Sequence, residues 1–212
     1  MTTNPQIQTS TILPKTFVDL WLTENAVRKN ITAIVVSAAV MFSLSVSGNQ
    51  NSTNYLLSVA EEHGLTLQKV GFGSISWFGF SIYDASLWTN DGTFEDIDQS
   101  LPIALHIIYQ REITSDALAD RTAEEWEQLN IFSPSQRQVW QRRMTAMWPS
   151  VEPGDSITTL VTRDRKTHFY YNEKFIGVIE DESFGSSLLS IWLDANTSEP
   201  GLRQQLIGYT GR

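Results

Sequence analysis

The chain is expected to fold as an α+β domain, an antiparallel sheet covered on one face by a layer of helices. Three observations predict it. Residues 65–112 hold three runs of strand length, rich in β-branched and aromatic side chains. Residues 122–149 carry legible helix starts and a proline stop. Residues 156–179 return to strand patterns before two further helical segments. Strands, then helices, then a hairpin and more helices fit an antiparallel sheet better than βαβ alternation.

Before the domain, residues 31–48 (ITAIVVSAAVMFSLSVSG) are uncharged and mostly apolar, with Arg28 and Lys29 just ahead of them. Residues 1–47 therefore read as a signal peptide or membrane anchor, with a small-x-small cleavage site at Ser45-Val46-Ser47. At eighteen residues the segment also reaches the lower limit of a membrane span. The flanking charge places the domain outside the cytoplasm. The expected location is periplasmic or secreted, or anchored in the inner membrane; a buried core helix is the alternative reading of 31–48. Asp19 and Glu24 are unusual in a signal's basic region. A start at Val27, from a GTG codon, would leave a compact signal, and the coding DNA tests this.

Residues 48–64 read as a polar linker (GNQNSTN) and a short helix from Asn54 to His63 that stops at Gly64. The domain proper is 65–212. Two strands lie between Leu65 and Trp88, punctuated by Gly71, Gly73 and Gly79, the second ending at Asn90-Asp91-Gly92. Pro102 to Glu112 is a third, with Leu105, Ile107, Tyr109 and Arg111 sharing a face. Thr122-Ala-Glu-Glu125 has the form of a capping box, and Ser133-Pro134 that of a cap with proline at the first helical position. Trp140, Met144, Met147 and Trp148 recur at helical spacing as core, and Pro149 ends that helix. Ser156 to Thr162 is a strand, His168 to Ile179 a hairpin about Asn172-Glu173, and Ser183–Leu193 and Ser198–Ile207 are helices.

Composition narrows the function. The 212 residues are 41% hydrophobic, 18% charged and 11% aromatic, which is globular composition. Without cysteine there is no disulfide, thiolate metal site or thiol nucleophile. A net charge of −9 with no basic run argues against a nucleic-acid partner. Loss of 1–47 would leave 12 basic and 22 acidic residues, a net −10. His63, His106 and His168 are far apart in sequence, with no H-x-x-x-H pair, so no metal is expected. There is no G-x-S-x-G elbow, dinucleotide fingerprint or phosphate loop, and no cofactor is expected. Glu124, Glu125, Glu127, Asp181 and Glu182 read as solvated helix or turn carboxylates.

Several segments jointly resemble one family: VGFGSISWFGFSIYDASLW at 70–88, ALHIIYQR at 104–111, RTAEEW at 121–126, PGD at 153–155, FYYN at 169–172, IWLD at 191–194 and TSEPGLR at 197–203. Together they are similar to the bacterial chalcone isomerase-like family, over about 65–208. The resemblance implies a chalcone isomerase-like open-faced sandwich, with a ligand cleft between the sheet and the helices. It also implies kinship with isomerases that close a chalcone and with fatty-acid binders that hold a carboxylate by an arginine and a tyrosine. The family's strand arginine is replaced here, where Ser74 or Ile75 stands, so a cation for a developing oxyanion is missing. Tyr83 matches the tyrosine of the fatty-acid binders.

The expectation is an exported, non-catalytic protein that binds a small amphipathic ligand such as a fatty acid or lipid fragment. Its ligand-binding residues would be Tyr83, Arg111, Tyr109 and Trp77. Arg111 would present a planar donor fork to a carboxylate; the alternative is an ion pair with Asp84 or Glu112. For Tyr83 the alternative is a core tyrosine bonded to backbone, and Trp77 is core first and cleft lining second. No catalytic residue is assigned. Two other readings stay open: an isomerase or lyase using Tyr83 as acid/base with Arg111 as electrostatic stabiliser, and an accessory protein to a membrane-lipid enzyme. Residues 31–48 would supply membrane association, and a protein partner is not specified.

Overall fold

The computed structural model describes residues 45–208. Residues 1–44 of the predicted signal or anchor, with the alternative start at Val27, lie outside the described residues. Among the described residues no helix is long and apolar enough to cross a membrane.

Six strands form a meander in which every neighbour is sequential and antiparallel: β1 (Gln68–Trp77), β2 (Phe80–Thr89), β3 (Ile103–Tyr109), β4 (Ser156–Val161), β5 (Thr167–Tyr171) and β6 (Lys174–Ile179). The described helices are α1 (Ser45–Glu62), α2 (Ser115–Gln128), α3 (Pro134–Met147), α4 (Glu182–Leu193) and α5 (Pro200–Leu206). The α+β class, with an antiparallel sheet under a helical layer, is thus as expected.

Alternation along the strands sorts the two faces. Tyr83, Ala85, Leu87 and Thr89 are opposite Tyr109, Ile107, Leu105 and Ile103, and this face continues through Thr159 and Phe169. It lies under the helical layer, where Phe169 meets Phe184 of α4 with ring centroids 6.1 Å apart. Phe184 packs edge-on against Trp126 of α2 and Trp140 of α3. The indole of Trp126 donates to the Ser187 carbonyl at 2.7 Å, and that of Trp140 to the Asp181 carboxylate at 3.0 Å. Three helices are thereby pinned around one aromatic cluster. On the opposite face, Leu56, Val59 and Ala60 of α1 are buried with Trp88, Ala104, Leu160 and Tyr170. So α1 covers part of the face that a one-sided layer would leave open.

Three local expectations are corrected. Residues 48–53, expected as linker, are helical: α1 begins at Ser45 and runs into the later turns, where Leu56, Val59 and Ala60 pack on the sheet. The first cap of α2 is Thr114, whose hydroxyl accepts from Ala117 N at 3.2 Å. Thr122 is mid-helix, donating back to the Leu118 carbonyl at 2.9 Å. Gly71 and Gly73 do not punctuate; they lie inside β1, where α5 crosses it. The other turns agree with expectation: Ser133 caps α3 with Pro134 at its start, and Asn172-Glu173, both at positive φ, close the β5–β6 hairpin.

Candidate functional site

Tyr83 and Tyr109 are direct partners across β2 and β3, on the face that the helices cover. Their rings meet edge-on with centroids 6.3 Å apart, and both are buried. Trp192 reaches down from α4 and its indole N–H donates to the Tyr83 hydroxyl at 3.0 Å. Burial is the main reason the Tyr83 phenol is pushed far above its ordinary value; the Trp192 bond opposes this, and the charges of Glu199, Tyr109 and Glu125 add to it. Burial does the same to Tyr109. Tyr83 is therefore a neutral hydrogen-bonding group at any physiological pH, and a poor base.

The predicted cation is placed differently. β3 ends at Tyr109, so Arg111 stands in the bend beyond it, half-buried. Among the described residues it has no ion pair, with Asp84 or Glu112 or otherwise. Asp84 instead accepts from Ser74 Oγ at 2.5 Å and Gln110 Nε2 at 2.9 Å. Trp77 ends β1 opposite Phe80, and its side chain lies outside the described residues. Of the four predicted residues, the fold brings Tyr83 and Tyr109 together.

A buried ionic cluster that sequence reasoning missed lies in the helical layer. Arg121 of α2 is 6% exposed and pairs with Glu124 at 2.5 Å and Glu125 at 3.4 Å. Glu125 is 1% exposed and accepts from Ser198 Oγ at 2.9 Å. The expectation of a solvated carboxylate at this position is thereby corrected. A signal is present in the sequence: Leu118, Thr122 and Glu125 recur at helical spacing, which turns Glu125 inward with Trp126 beside it. Burial raises the Glu125 carboxyl, against the lowering effects of Ser198 and Arg121.

The opposite face carries a second polar row: Ser86, His106, Thr158 and Tyr170 are cross-strand neighbours. His106 Nδ1 and Thr158 Oγ1 are 2.8 Å apart, as are His63 Nε2 and the Tyr170 hydroxyl. The rings of His63 and His168 also meet edge-on, centroids 4.5 Å apart, so two histidines distant in sequence are adjacent in space. Among the described residues no group of three or more His, Asp or Glu is arranged to hold a metal.

Burial pushes His106 down to about 4. The folded form holds this ring neutral, whereas the unfolded chain binds its proton near pH 6.5. Stability from this group is present above pH 6.5 and lost as pH falls toward 4. The loss is about 3 kcal/mol, at roughly 1.4 kcal/mol for each tenfold difference in proton affinity. Urea unfolding at pH 7, 5.5 and 4 should show that decline, and His106→Gln should flatten it. An equally steep decline in the variant would assign the acid sensitivity elsewhere.

Known proteins resemble this chain in sequence family and in fold. The family model described as chalcone isomerase-like matches residues 53–208. An uncharacterised protein of Haemophilus influenzae is 27% identical over 143 residues, 68% of this chain and 69% of that protein. A crystal structure of an Arabidopsis thaliana fatty-acid binding protein superposes with a TM-score of 0.52 at 10% identity, covering 67% of this chain and 87% of that one. At that identity the likeness is one of fold.

Proposed function

Since the chain belongs to the chalcone isomerase-like family, whose model spans most of it, we propose that it is a non-catalytic binding protein for a single-chain amphiphile, a fatty acid or a lipid fragment. The observation that carries this reading is the buried Tyr83 hydroxyl, which accepts from the Trp192 indole where the sheet meets the helices. Burial keeps its proton in place, which suits a group that orients a ligand rather than one that reacts. The fold shared with a fatty-acid binding protein supports the same ligand class. Affinity would come chiefly from apolar burial, at about 25 cal/mol per Å² before association costs.

The local charge refines the choice of headgroup. Glu125 and Glu199 both act on Tyr83, so its hydroxyl favours a neutral polar group or a protonated acid. An ionised carboxylate would be met by Arg111, at the end of β3 two residues beyond Tyr109. Calorimetric titration of the delipidated protein with palmitic acid and with monopalmitoylglycerol tests both parts. Tyr83→Phe should weaken both ligands about fivefold, the worth of one hydrogen bond. Arg111→Gln should weaken only the acid. Absence of binding by the unaltered protein for either ligand would overturn the proposal. Export of the protein is part of the reading, and N-terminal sequencing of the protein recovered from its own cells tests it: a terminus at Gly48 supports a cleaved signal.

A further inference from the structure

We propose that the tip of the β1–β2 hairpin is a membrane-docking element that inserts into the interface of a lipid bilayer. The turn is Phe78-Gly79, with φ of 46° and 82°, between the paired residues Trp77 and Phe80. Two positive φ values are the backbone of a type I′ turn, whose first position favours asparagine, aspartate or glycine. Phenylalanine there is locally unfavourable. Folding alone would select a different residue, so the ring calls for another explanation.

That ring is 80% exposed, and Phe80 across the turn is 74% exposed, the two highest values among large hydrophobic side chains described. No charged residue occurs between Lys69 and Asp84, although the chain as a whole is strongly acidic. The tip is thus an uncharged aromatic projection on a protein otherwise well supplied with charge.

The size of the tip indicates what it fits. Two aromatic rings bury roughly 300–500 Å² at most, well short of the ~800 Å² that each side of a stable protein interface contributes. A second copy or a folded partner would need a larger surface around it. A bilayer needs none, because aromatic side chains partition to the headgroup–acyl boundary one by one. Docking would also bring the ligand site close to lipid, since Tyr83 follows Phe80 by three residues, about 10 Å of strand. Docking does not depend on the ligand, because the tip would insert whether or not the interior holds an amphiphile.

The chain has no cysteine, so one cysteine can be labelled uniquely. Ser81→Cys, exposed beside the tip, and Asn90→Cys, exposed beyond the far end of β2 and roughly 30 Å away, would each carry the polarity-sensitive fluorophore NBD in the full chain. On addition of phosphatidylcholine vesicles, with and without phosphatidylglycerol, NBD at 81 should brighten at least twofold, shift to the blue and be quenched by brominated lipid. NBD at 90 should not respond. Phe78→Asn with Phe80→Thr supplies the preferred turn residue and a good strand former, so it keeps the hairpin and removes only the rings. In that background the response at 81 should disappear. Failure of 81 to respond, an equal response at 90, or a response unchanged by the double substitution would each overturn the proposal. The comparison between sites also separates the tip from any membrane contact made by residues 31–48.

Discussion

Gly71→Ala is expected to destabilise the domain by about 3 kcal/mol or more, against a usual total of roughly 5–15 kcal/mol. A Cβ at residue 71 would be driven against the backbone oxygens of Gln205 and Leu206, and one at Gly73 against the side chains of Leu202 and Gln205. A side chain can rotate away, but the backbone of α5 cannot, so the helix must lift off β1. Leu202 and Leu206, 3% and 0% exposed, would then lose their contact with the sheet. Each such leucine is worth about 1.5–3 kcal/mol when fully buried. The matching control lies on the helix itself. Gly201→Ala meets nothing within 4 Å, and alanine there should stabilise by about 0.5–1 kcal/mol. Urea unfolding of the two variants should therefore move in opposite directions. Equal effects would mean that close approach of α5 is not what the glycine serves.

The same glycine shows where sequence reading reaches its limit. The strands are legible because β-branched and aromatic alternation is local, and so are the Asn172-Glu173 turn and the Ser133-Pro134 start. Gly71 and Gly73 look like breaks because nothing local reveals a helix crossing 130 residues later. Alternation gives Tyr83 and Tyr109 each a face within its own strand, but their pairing follows from the register of β2 on β3, which alternation leaves open. Arg111 cannot be placed that way, because its assignment depends on whether β3 continues beyond Tyr109, and strand ends are set by what packs on them. Trp192 and Glu125 lie out of reach for another reason. Each acts on Tyr83 from a different helix, and only the packing of α2 and α4 over the sheet brings them together.

Arg121→Ala is the second large effect, and its pH dependence identifies the cause. Removing the guanidinium leaves Glu125, 1% exposed, still bonded to Ser198 at 2.9 Å but without the cation beside it. Stranding one member of a buried pair costs about 3–5 kcal/mol. Burial already raises the Glu125 carboxyl, and loss of Arg121 removes an influence that lowers it. A carboxyl raised in the folded state holds its proton there more tightly than in the unfolded chain. Its contribution is thus most favourable below the ordinary value of 4.5 and is lost as pH rises through the folded value. The Arg121→Ala deficit should accordingly be largest at pH 7 and shrink toward pH 4.5. Glu125→Gln, by contrast, removes the buried charge while Arg121 keeps Glu124 at 2.5 Å, and should lie within about 1 kcal/mol of the unaltered protein at pH 7. The double variant should recover much of the loss of Arg121→Ala, a coupling that the four unfolding free energies measure directly. A deficit independent of pH, or no recovery in the double variant, would assign the role of Arg121 to packing of its buried stem rather than to the charge it neutralises.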